Sequence, residues 1–387
     1  MKIKFKQLFD FNKFKFKQVD LSLLFVTLFL VGFGIVMVYS ASCYSAEIIY
    51  GNSKFFMFKQ LIGAIIGFGF MLLFMMFDYH RLEKTKWYVL IISLVLLALV
   101  FVPKIGVSNN GATRWIRLPG FTIQPSEIAK FAFVIWTSSY LSKNYDYIKK
   151  FVGILPVLCV GGAYCLLIIL EPNMSITMCV AITMIVMLFV GGIRAKHFAL
   201  LGACGACAVP ALIIAEPYRL NRLVAFMNPW LNPKTEGYQL IQSLYGLGAG
   251  GLFGVGIFNS RQKYLFLPFA ESDFIFSIIG EELGLFGCIL CIAFFAIIIY
   301  HGIKIAIHAT DRFGCYLATG ITTVIASQVL INIAVVTGSI PPTGVPLPFI
   351  SSGGTALVVF MSSVGVLLNI DRQSKMNFQM YEVKSKK

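Results

Sequence analysis

An acidic side chain at the start of an apolar segment is the first candidate for chemistry in this sequence. Asp273 follows a basic, amide-rich loop at residues 259–263 and stands where a long apolar run begins. A helix N-terminus favours the carboxylate form of such a residue, whereas apolar neighbours disfavour it. Asp273 could therefore be held ready as a base. The alternative is that it only caps the helix.

A second pair of charges lies at the start of another apolar segment. Glu127 and Lys130 are three residues apart, a spacing at which two side chains of one helix can pair. At the edge of hydrocarbon, an ionisable pair is a functional hypothesis. A structural pair that neutralises both charges is equally compatible with the pattern, and both interpretations can hold.

The composition is that of an integral membrane protein. Of the 387 residues, 58% are hydrophobic and 13% are charged, against about 45–50% and about 25% in soluble domains. We therefore predict an all-α, polytopic membrane protein with about ten transmembrane helices. The predicted spans are 21–38, 56–77, 87–102, 127–141, 151–170, 174–191, 198–215, 273–300, 313–336 and 349–369.

Lys and Arg residues indicate the orientation. With ten spans both termini share one side, and the segments on that side carry 21 of the 32 Lys and Arg residues. The positive-inside rule then predicts cytoplasmic termini and a large extracellular loop between spans 7 and 8. The predicted parts are a basic tail at 1–19, a membrane domain at 20–370 and a basic tail at 371–387. The net charge of +15 is explained by topology and gives no support to nucleic-acid binding.

Three segments on the predicted outer side indicate a cavity. Residues 103–126 and 216–271 form long loops, and residues 339–354 contain four prolines and three glycines. Irregular backbone at membrane depth is tolerated where it is buried in protein or lines a watery cavity. We therefore predict a cavity that is open to the outside, with 103–130, 216–273 and 339–354 at its rim.

Several other patterns are interpreted as structural. The CxxC pairs Cys204/Cys207 and Cys288/Cys291 lie inside apolar runs without a second pair or a histidine nearby, so we expect packing residues and not a metal or redox site. Residues 246–251 formally match GxGxxG, but no βαβ pattern surrounds them. Close helix packing or a mobile bend explains these glycines better, and the spacing of residues 238–245 suggests an amphipathic helix at the interface.

Taken together, these stretches resemble the SEDS family (shape, elongation, division and sporulation), which includes FtsW, RodA and SpoVE-type proteins. The similarity extends from the first span to the last and is closer to the FtsW and SpoVE branch. The motifs that carry it are Asn110-Gly111-Ala112 with Arg114-Trp115-Ile116, Gln124-Pro125-Ser126-Glu127 with Lys130, Glu171-Pro172, Gly237-Tyr238-Gln239 with Gln242-Ser243, Gly250-Gly251 with Gly254 and Gly256, Asp273-Phe274-Ile275-Phe276 with Glu281-Glu282-Leu283-Gly284, and Pro342-Thr343-Gly344 through Ser351 with Gly353-Gly354.

The resemblance implies a peptidoglycan glycosyltransferase that polymerises lipid II at the outer leaflet of the bacterial cytoplasmic membrane during division or sporulation. Its implied partners are a class B penicillin-binding protein and other division or sporulation membrane proteins. Asp273 matches the acid that is essential in the family, and Glu127 with Lys130 matches a charged pair in the cavity. Gln242 and Ser351 fall in matching motifs and are predicted to bind substrate. Ser352 departs from the family pattern, which commonly has Tyr there.

The implied reaction fits the residues. Joining an α-linked glycosyl diphosphate to a sugar hydroxyl as a β bond inverts the anomeric centre, so one displacement suffices. Asp273 would remove the acceptor proton, a step worth ~10²–10⁴-fold, and Glu127 would orient Lys130. The candidates for binding the diphosphate are Arg114, Lys130, Arg219 and Arg222. A divalent cation, magnesium or manganese, could share that role, although no cluster has clear metal-ligand spacing.

Two other functions remain open at this point. A lipid II flippase would also need a polar cavity with an acid inside, but it should carry ionisable groups along the whole path. A non-catalytic scaffold for division partners would leave the Asp273 region free to vary in charge.

Overall fold

The computed structural model describes residues 19–109, 112–118, 121–214 and 217–385. Residues 1–18 of the predicted N-terminal tail lie outside the described residues. Within them the chain forms twelve α-helices and one three-stranded sheet. The helices are α1 (Leu21–Tyr50), α2 (Phe55–Met76), α3 (His80–Leu99), α4 (Pro125–Lys143), α5 (Phe151–Leu170), α6 (Met174–Val190), α7 (Ala195–Ile214), α8 (Pro217–Met227), α9 (Tyr238–Gly250), α10 (Ile275–His308), α11 (Arg312–Val336) and α12 (Gly354–Ser385).

Ten of these helices coincide with the ten predicted spans, which confirms the all-α, polytopic prediction. Six have both the length and the composition to cross a membrane, namely α1, α2, α5, α10, α11 and α12. The two helices that match no predicted span are α8 and α9. They lie in the long segment that was predicted between spans 7 and 8. The last span was predicted to begin at 349, but α12 begins at Gly354 because the preceding residues belong to the proline-rich segment.

Both ends of the described chain meet at one end of the helix bundle. Asp20 precedes α1, and its carboxylate lies 2.5 Å from Nδ1 of His301 near the end of α10. Late in α12, Gln373 donates to Asp78, which lies between α2 and α3 (3.0 Å). We call this the tail end. The opposite, loop-rich end carries residues 100–109, 112–118, 121–124, 171–173, 217–274 and 337–353.

The core is built around α11, with α12 packed along α2. Two glycines of α2 allow that approach. A Cβ added to Gly67 would meet Sδ of Met361 at 2.7 Å, and one on Gly63 would lie 3.6 Å from Cα of Gly354. The GxxxG spacing in α2 is therefore a helix-packing device, as is common in membrane proteins.

A small sheet at the loop-rich end was missed by the all-helical prediction. Its strands are β1 (Gly106–Asn109), β2 (Ala112–Leu118) and β3 (Phe121–Ile123), paired antiparallel in the order β1-β2-β3. Ile116 of β2 faces Gly106 on one side and Ile123 on the other. β-branched and aromatic residues in β2 favour a strand. Asn110 and Gly111 of the family motif lie outside the described residues.

The glycine-rich segment at 251–256 provides backbone hydrogen-bond partners at a break in α10. Gly284 has φ 68° and interrupts the helix, which leaves backbone groups without their usual partners. The carbonyls of Glu281 and Glu282 accept from the amides of residues 255 and 256 at 2.9 and 3.0 Å, and the amides of residues 285 and 286 donate to the carbonyls of residues 251 and 252. Gly254 must lack a side chain, because its Cβ would lie 2.1 Å from the Glu282 carbonyl oxygen. Gly254 is therefore needed for the close packing of this segment against α10.

The two buried glutamates at this break have protein partners. The Glu281 carboxylate accepts from the Ser260 hydroxyl and from the amides of Arg261 (2.9 Å) and Gln262 (3.3 Å). The Glu282 carboxylate accepts from Ser40 (2.5 Å) and lies 3.9 Å from Nζ of Lys263. A charge at that depth needs such partners, and these contacts fix the basic loop at 259–263.

The predicted amphipathic helix and the predicted cysteine packing are only partly as expected. α9 forms, but it packs on α10 through Gly250, which lies against the backbone of α10. Cys288 and Cys291 are buried in α10 as predicted, whereas Cys204 and Cys207 lie exposed on the surface of α7. All nine cysteines are free thiols.

Candidate functional site

A cavity of about 2550 Å³ opens at the loop-rich end. The three segments predicted to form its rim all contribute side chains. Residues 107–124 supply Arg114 and Trp115, the long segment before α10 supplies Arg222 and Asp273, and the proline-rich segment supplies Thr343 among others. The prediction that these three segments meet at one cavity is confirmed.

Asp273 lies directly before α10 and not in its first turn. The helix begins at Ile275, and Phe274 takes the N-cap position, so the alternative that Asp273 caps the helix is wrong. Hydrogen bonds from the proline-rich segment hold the residues just before it. The Glu271 carbonyl accepts from the Ser352 amide (2.9 Å), and the Ser272 carbonyl accepts from the Ser351 hydroxyl (2.5 Å).

The carbonyl of Asp273 is held in the same way. It accepts from Nδ2 of Asn332 on α11 (2.8 Å), and the same nitrogen donates to the Val345 carbonyl (2.6 Å). Three consecutive carbonyls are thus fixed by neighbouring elements. The carboxylate of Asp273 therefore projects from a backbone whose position is set on both sides.

The surroundings of Asp273 suit a base. Burial raises the pKa of its carboxyl to about 6, against the opposing charges of Arg114 and Arg222. Gly344 lies beside it with φ 74°, and a Cβ there would be 3.0 Å from Oδ2 of Asp273. A pKa near the working pH is what general-base catalysis needs.

Arg114 reaches the cavity from strand β2. Its Nε donates to the Glu171 carbonyl (3.2 Å) and its Nη2 to the Pro172 carbonyl, so the arginine is tied to the turn between α5 and α6. Burial raises the pKa of the Glu171 carboxyl to about 8, and the charge of Arg114 opposes that shift. The Glu171 side chain is therefore largely neutral at pH 7.

Arg222 reaches the cavity from a different element. It belongs to α8 and donates to the Pro342 carbonyl (2.8 Å). With Arg114 it places two guanidinium groups in the cavity that contains Asp273. Arg219 lies in the same helix, but its side chain is outside the part of the chain that the structure describes.

Side chains of three helices support the proline-rich segment. Prolines have no backbone N–H and cannot pair neighbouring carbonyls, and an unpaired carbonyl at membrane depth is costly. Here the carbonyls of residues 342, 343, 345 and 346 accept from Arg222, Ser175 (2.5 Å), Asn332 and Gln328 (3.0 Å) respectively. The segment keeps its irregular path because these donors replace the missing backbone partners.

Glu127 and Lys130 form the predicted ion pair. Oε2 of Glu127 lies 2.9 Å from Nζ of Lys130, and both side chains are fully buried. Lys130 also donates to Oε1 of Gln328 and lies 5.0 Å from the ring centre of Phe360. Neither charged side chain is among those that line the cavity. The pair lies behind the cavity wall and links α4 to α11.

The other two predicted binding residues do not line the cavity either. Gln242 is half-buried on α9. The Ser351 hydroxyl accepts from the Leu347 amide (2.7 Å) and donates to the Ser272 carbonyl. Ser351 therefore fastens the proline-rich segment to the backbone next to Asp273.

Sequence reasoning missed several residues of the site. Lys59 of α2, Arg117 of β2 and Glu271 line the cavity, and Asn332 holds the backbone of Asp273. A lone lysine at the start of an apolar span could have been noticed as an ionisable group in a membrane helix. Nothing in the spacing of Asn332 indicated its contact, which joins residues 59 positions apart.

The cavity continues as an apolar groove between α2, α4 and α12 towards the tail end. Its walls include Ile62, Ile66, Phe70, Phe131, Ile135 and Val358. Phe74, Leu82 and Val366 extend it to the opposite side of the bundle. The site therefore combines a cationic part, which contains Arg114 and Arg222, with a long apolar groove.

Within the described residues, no group of three or more His, Cys, Asp and Glu side chains could hold a metal ion. Asp273 and Glu271 are the acidic side chains that line the cavity there. Protein-built sites for hard cations usually need more oxygen ligands. Two carboxylates are too few for a site built from protein ligands alone, whereas Mg²⁺ is commonly held by one or two carboxylates together with substrate phosphates. No step below passes through a metal.

Comparisons with known proteins agree with this architecture. The family model described as cell cycle protein, FtsW/RodA/SpoVE, matches residues 21–376. Stage V sporulation protein E of Bacillus subtilis is 42% identical over 357 residues, with 92% of this chain and 98% of that protein covered. A probable peptidoglycan glycosyltransferase FtsW of Trichlorobacter lovleyi is 41% identical, with 94% and 96% covered.

Two solved structures have the same fold. One, described as structural coordination of polymerization and crosslinking by a peptidoglycan synthase complex, contains a chain with a TM-score of 0.77 and 24% identity, covering 92% of this chain and 98% of that one. The rod shape determining protein RodA of Thermus thermophilus gives a TM-score of 0.67 at 23% identity, covering 92% and 97%. At these identities the likeness establishes the fold alone.

Proposed function

Because the chain belongs to the FtsW/RodA/SpoVE family of cell cycle proteins, we propose that it is a peptidoglycan glycosyltransferase. Its substrate is lipid II, and its product is a glycan strand. The reaction takes place at the outer face of the cytoplasmic membrane, since the charge pattern assigns the loop-rich end to that side. The similarity to a stage V sporulation protein and to FtsW proteins supports a role in division or sporulation.

One observation carries the proposal. The Asp273 carboxylate lies in a cavity that also contains Arg114 and Arg222, and the same cavity continues as an apolar groove. A lipid-linked sugar diphosphate has the complementary form, with a doubly charged head and a long apolar tail. Arginine binds phosphate oxygens by charge-assisted hydrogen bonds, and apolar walls favour the tail.

The chemistry requires one displacement. The 4-hydroxyl oxygen of the acceptor sugar attacks the anomeric carbon of the donor, and the bond from that carbon to the diphosphate breaks. The diphosphate leaves with the electron pair, and the hydroxyl proton goes to the Asp273 carboxylate. The α linkage becomes a β linkage because attack and departure occur on opposite faces.

The remaining residues support these steps. Arg114 and Arg222 bind the diphosphates and stabilise the charge that develops on the leaving group. Lys59 and Arg117 add positive charge to the same cavity. Glu127 and Lys130 act from behind the wall by fixing α4 against α11, and Ser351 fixes the backbone before Asp273. We propose a class B penicillin-binding protein as partner, in keeping with the synthase complex among the related structures.

The decisive experiment compares wild type with Asp273→Asn in glycan polymerisation from purified lipid II, with the partner penicillin-binding protein present. Loss of the base should lower the rate by ~10²–10⁴-fold. Asp146→Asn is the matched control, because Asp146 is an exposed acid outside the cavity that pairs only with Lys149 in the described residues. The control should polymerise like wild type.

Two results would count against the proposal. Near-normal polymerisation by Asp273→Asn would refute the base role. If wild type makes no glycan although substrate and partner are competent, the transferase assignment itself fails. Movement of lipid II across vesicles is then the measurement that tests the flippase alternative.

A further inference from the structure

We propose that Asn332 of α11 is a positioning residue that aims the Asp273 carboxylate at the acceptor hydroxyl, an inference that rests on the proposed function. Asn332 touches neither the cavity nor the reacting atoms. It acts through the backbone of Asp273 and through the proline-rich segment.

The hydrogen bonds of Asn332 suit this task. A side-chain amide has two N–H donors, and here Nδ2 donates to both the Asp273 carbonyl (2.8 Å) and the Val345 carbonyl (2.6 Å). The side chain is fully buried. One amide group thus ties the residue that carries the base to the proline-rich segment, whose Gly344 lies beside the Asp273 carboxylate.

A second amide stands one helical turn earlier on the same face of α11. Gln328 accepts from Lys130 and donates to the Pro346 carbonyl (3.0 Å). The carbonyls of Val345 and Pro346 are consecutive, so the two amides grip adjacent peptide groups. α11 therefore connects the buried ion pair behind the wall to the backbone of Asp273.

The catalytic consequence follows from geometry. A base must lie within hydrogen-bond reach of the proton that it removes, and a misplacement of about 1 Å can cost about 10²-fold in rate. The Asp273 carboxylate is attached to a short side chain, so the position of its backbone largely sets where the oxygens lie. Loss of the Asn332 hydrogen bond would also let that carboxylate shift relative to Arg114 and Arg222, whose charges act on it.

The test uses the full-length protein with its partner. Asn332→Leu keeps the branching of the side chain but has no donor, and Asn332→Gln keeps both donors on a longer side chain. Ser327→Ala is the control on the same helix, since the Ser327 hydroxyl bonds to the Val324 carbonyl of α11 itself (3.1 Å). The measured quantities are kcat, KM for lipid II, the folded fraction and the pH dependence of kcat.

We expect kcat of Asn332→Leu to fall by about 10²-fold with KM for lipid II unchanged, because an interaction needed only in the transition state is lost. The acid limb of the kcat profile should move below its wild-type midpoint, since a loosened carboxylate gains access to water. Asn332→Gln should recover part of kcat. If Asn332→Leu fails to fold, Asn332→Gln must still show the shifted acid limb.

Two outcomes would overturn the inference. Full activity of Asn332→Leu would show that the amide is not needed, and a loss that follows the folded fraction with an unchanged acid limb would show a merely structural role. If wild type and Ser327→Ala polymerise while these outcomes occur, the inference alone is wrong. If wild type makes no glycan, the proposed function fails first and the inference falls with it.

Discussion

Replacing Lys130 by methionine should destabilise this protein strongly. The Glu127 carboxylate lies 2.9 Å from the Lys130 ammonium, and neither side chain is exposed. Methionine has a similar length and can stay against Phe360, so little cavity is created. The loss therefore comes from the unpaired carboxylate, and breaking a buried pair in this way costs about 3–5 kcal/mol. Gln328 also loses the donor to its side-chain oxygen, which adds to the cost.

The measurement is the free energy of unfolding of the purified protein in mixed micelles, for Lys130→Met and for the double variant Glu127→Gln with Lys130→Met. In the double variant a neutral amide replaces the unpaired Glu127 carboxylate, which should restore most of the lost stability. Lys149→Met is the matched control, because Lys149 and Asp146 also pair three residues apart but are exposed. Exposed pairs contribute little. A loss in Lys130→Met no larger than in Lys149→Met would refute the reasoning.

Three other outcomes are expected. Arg114→Gln removes a charge that lowers the pKa of Asp273, so the acid limb of the kcat/KM profile, which reports the free enzyme, should move to higher pH than in the wild type, and a downward move would contradict this. Glu171→Gln should keep near-normal polymerisation at pH 7, because burial raises the pKa of Glu171 to about 8 and the amide mimics the neutral acid; a loss as large as that of Asp273→Asn would show that the carboxylate is needed. Gly250→Ala should unfold more easily, because its Cβ would lie 1.9 Å from a carbonyl oxygen of α10, whereas Gly248→Ala meets open space; equal unfolding free energies of the two variants would show that the close approach is absent.

Local patterns in the sequence were sufficient for most of the helices in the described residues, although α8 was not predicted. Apolar runs of membrane-spanning length predicted ten helices, and each is present, because hydrocarbon forces the backbone to pair within the segment. The three-residue spacing of Glu127 and Lys130 predicted their ion pair. The prolines and glycines at 339–354 predicted irregular backbone beside a cavity, since such backbone must find partners or water.

The sheet at 106–123 was missed because short strands carry a weak signal beside long apolar runs. Its role is to hold Arg114 over the turn after α5. The prediction that Lys130, Gln242 and Ser351 bind substrate stays a prediction, and the structure places none of the three on the cavity wall. The spacing of residues along a helix gives the direction of a side chain relative to that helix. It does not show whether a cavity lies in that direction.

The sequence by itself determined that this chain is an all-α, polytopic membrane protein with irregular segments between its apolar helices, because those properties depend on neighbours along the chain. Only the tertiary structure decided which groups serve Asp273. Its backbone partner Asn332, its wall residue Gly344 and its two arginines come from four separate elements. Contacts between such distant positions depend on how helices pack, and packing is set by the whole set of side chains together.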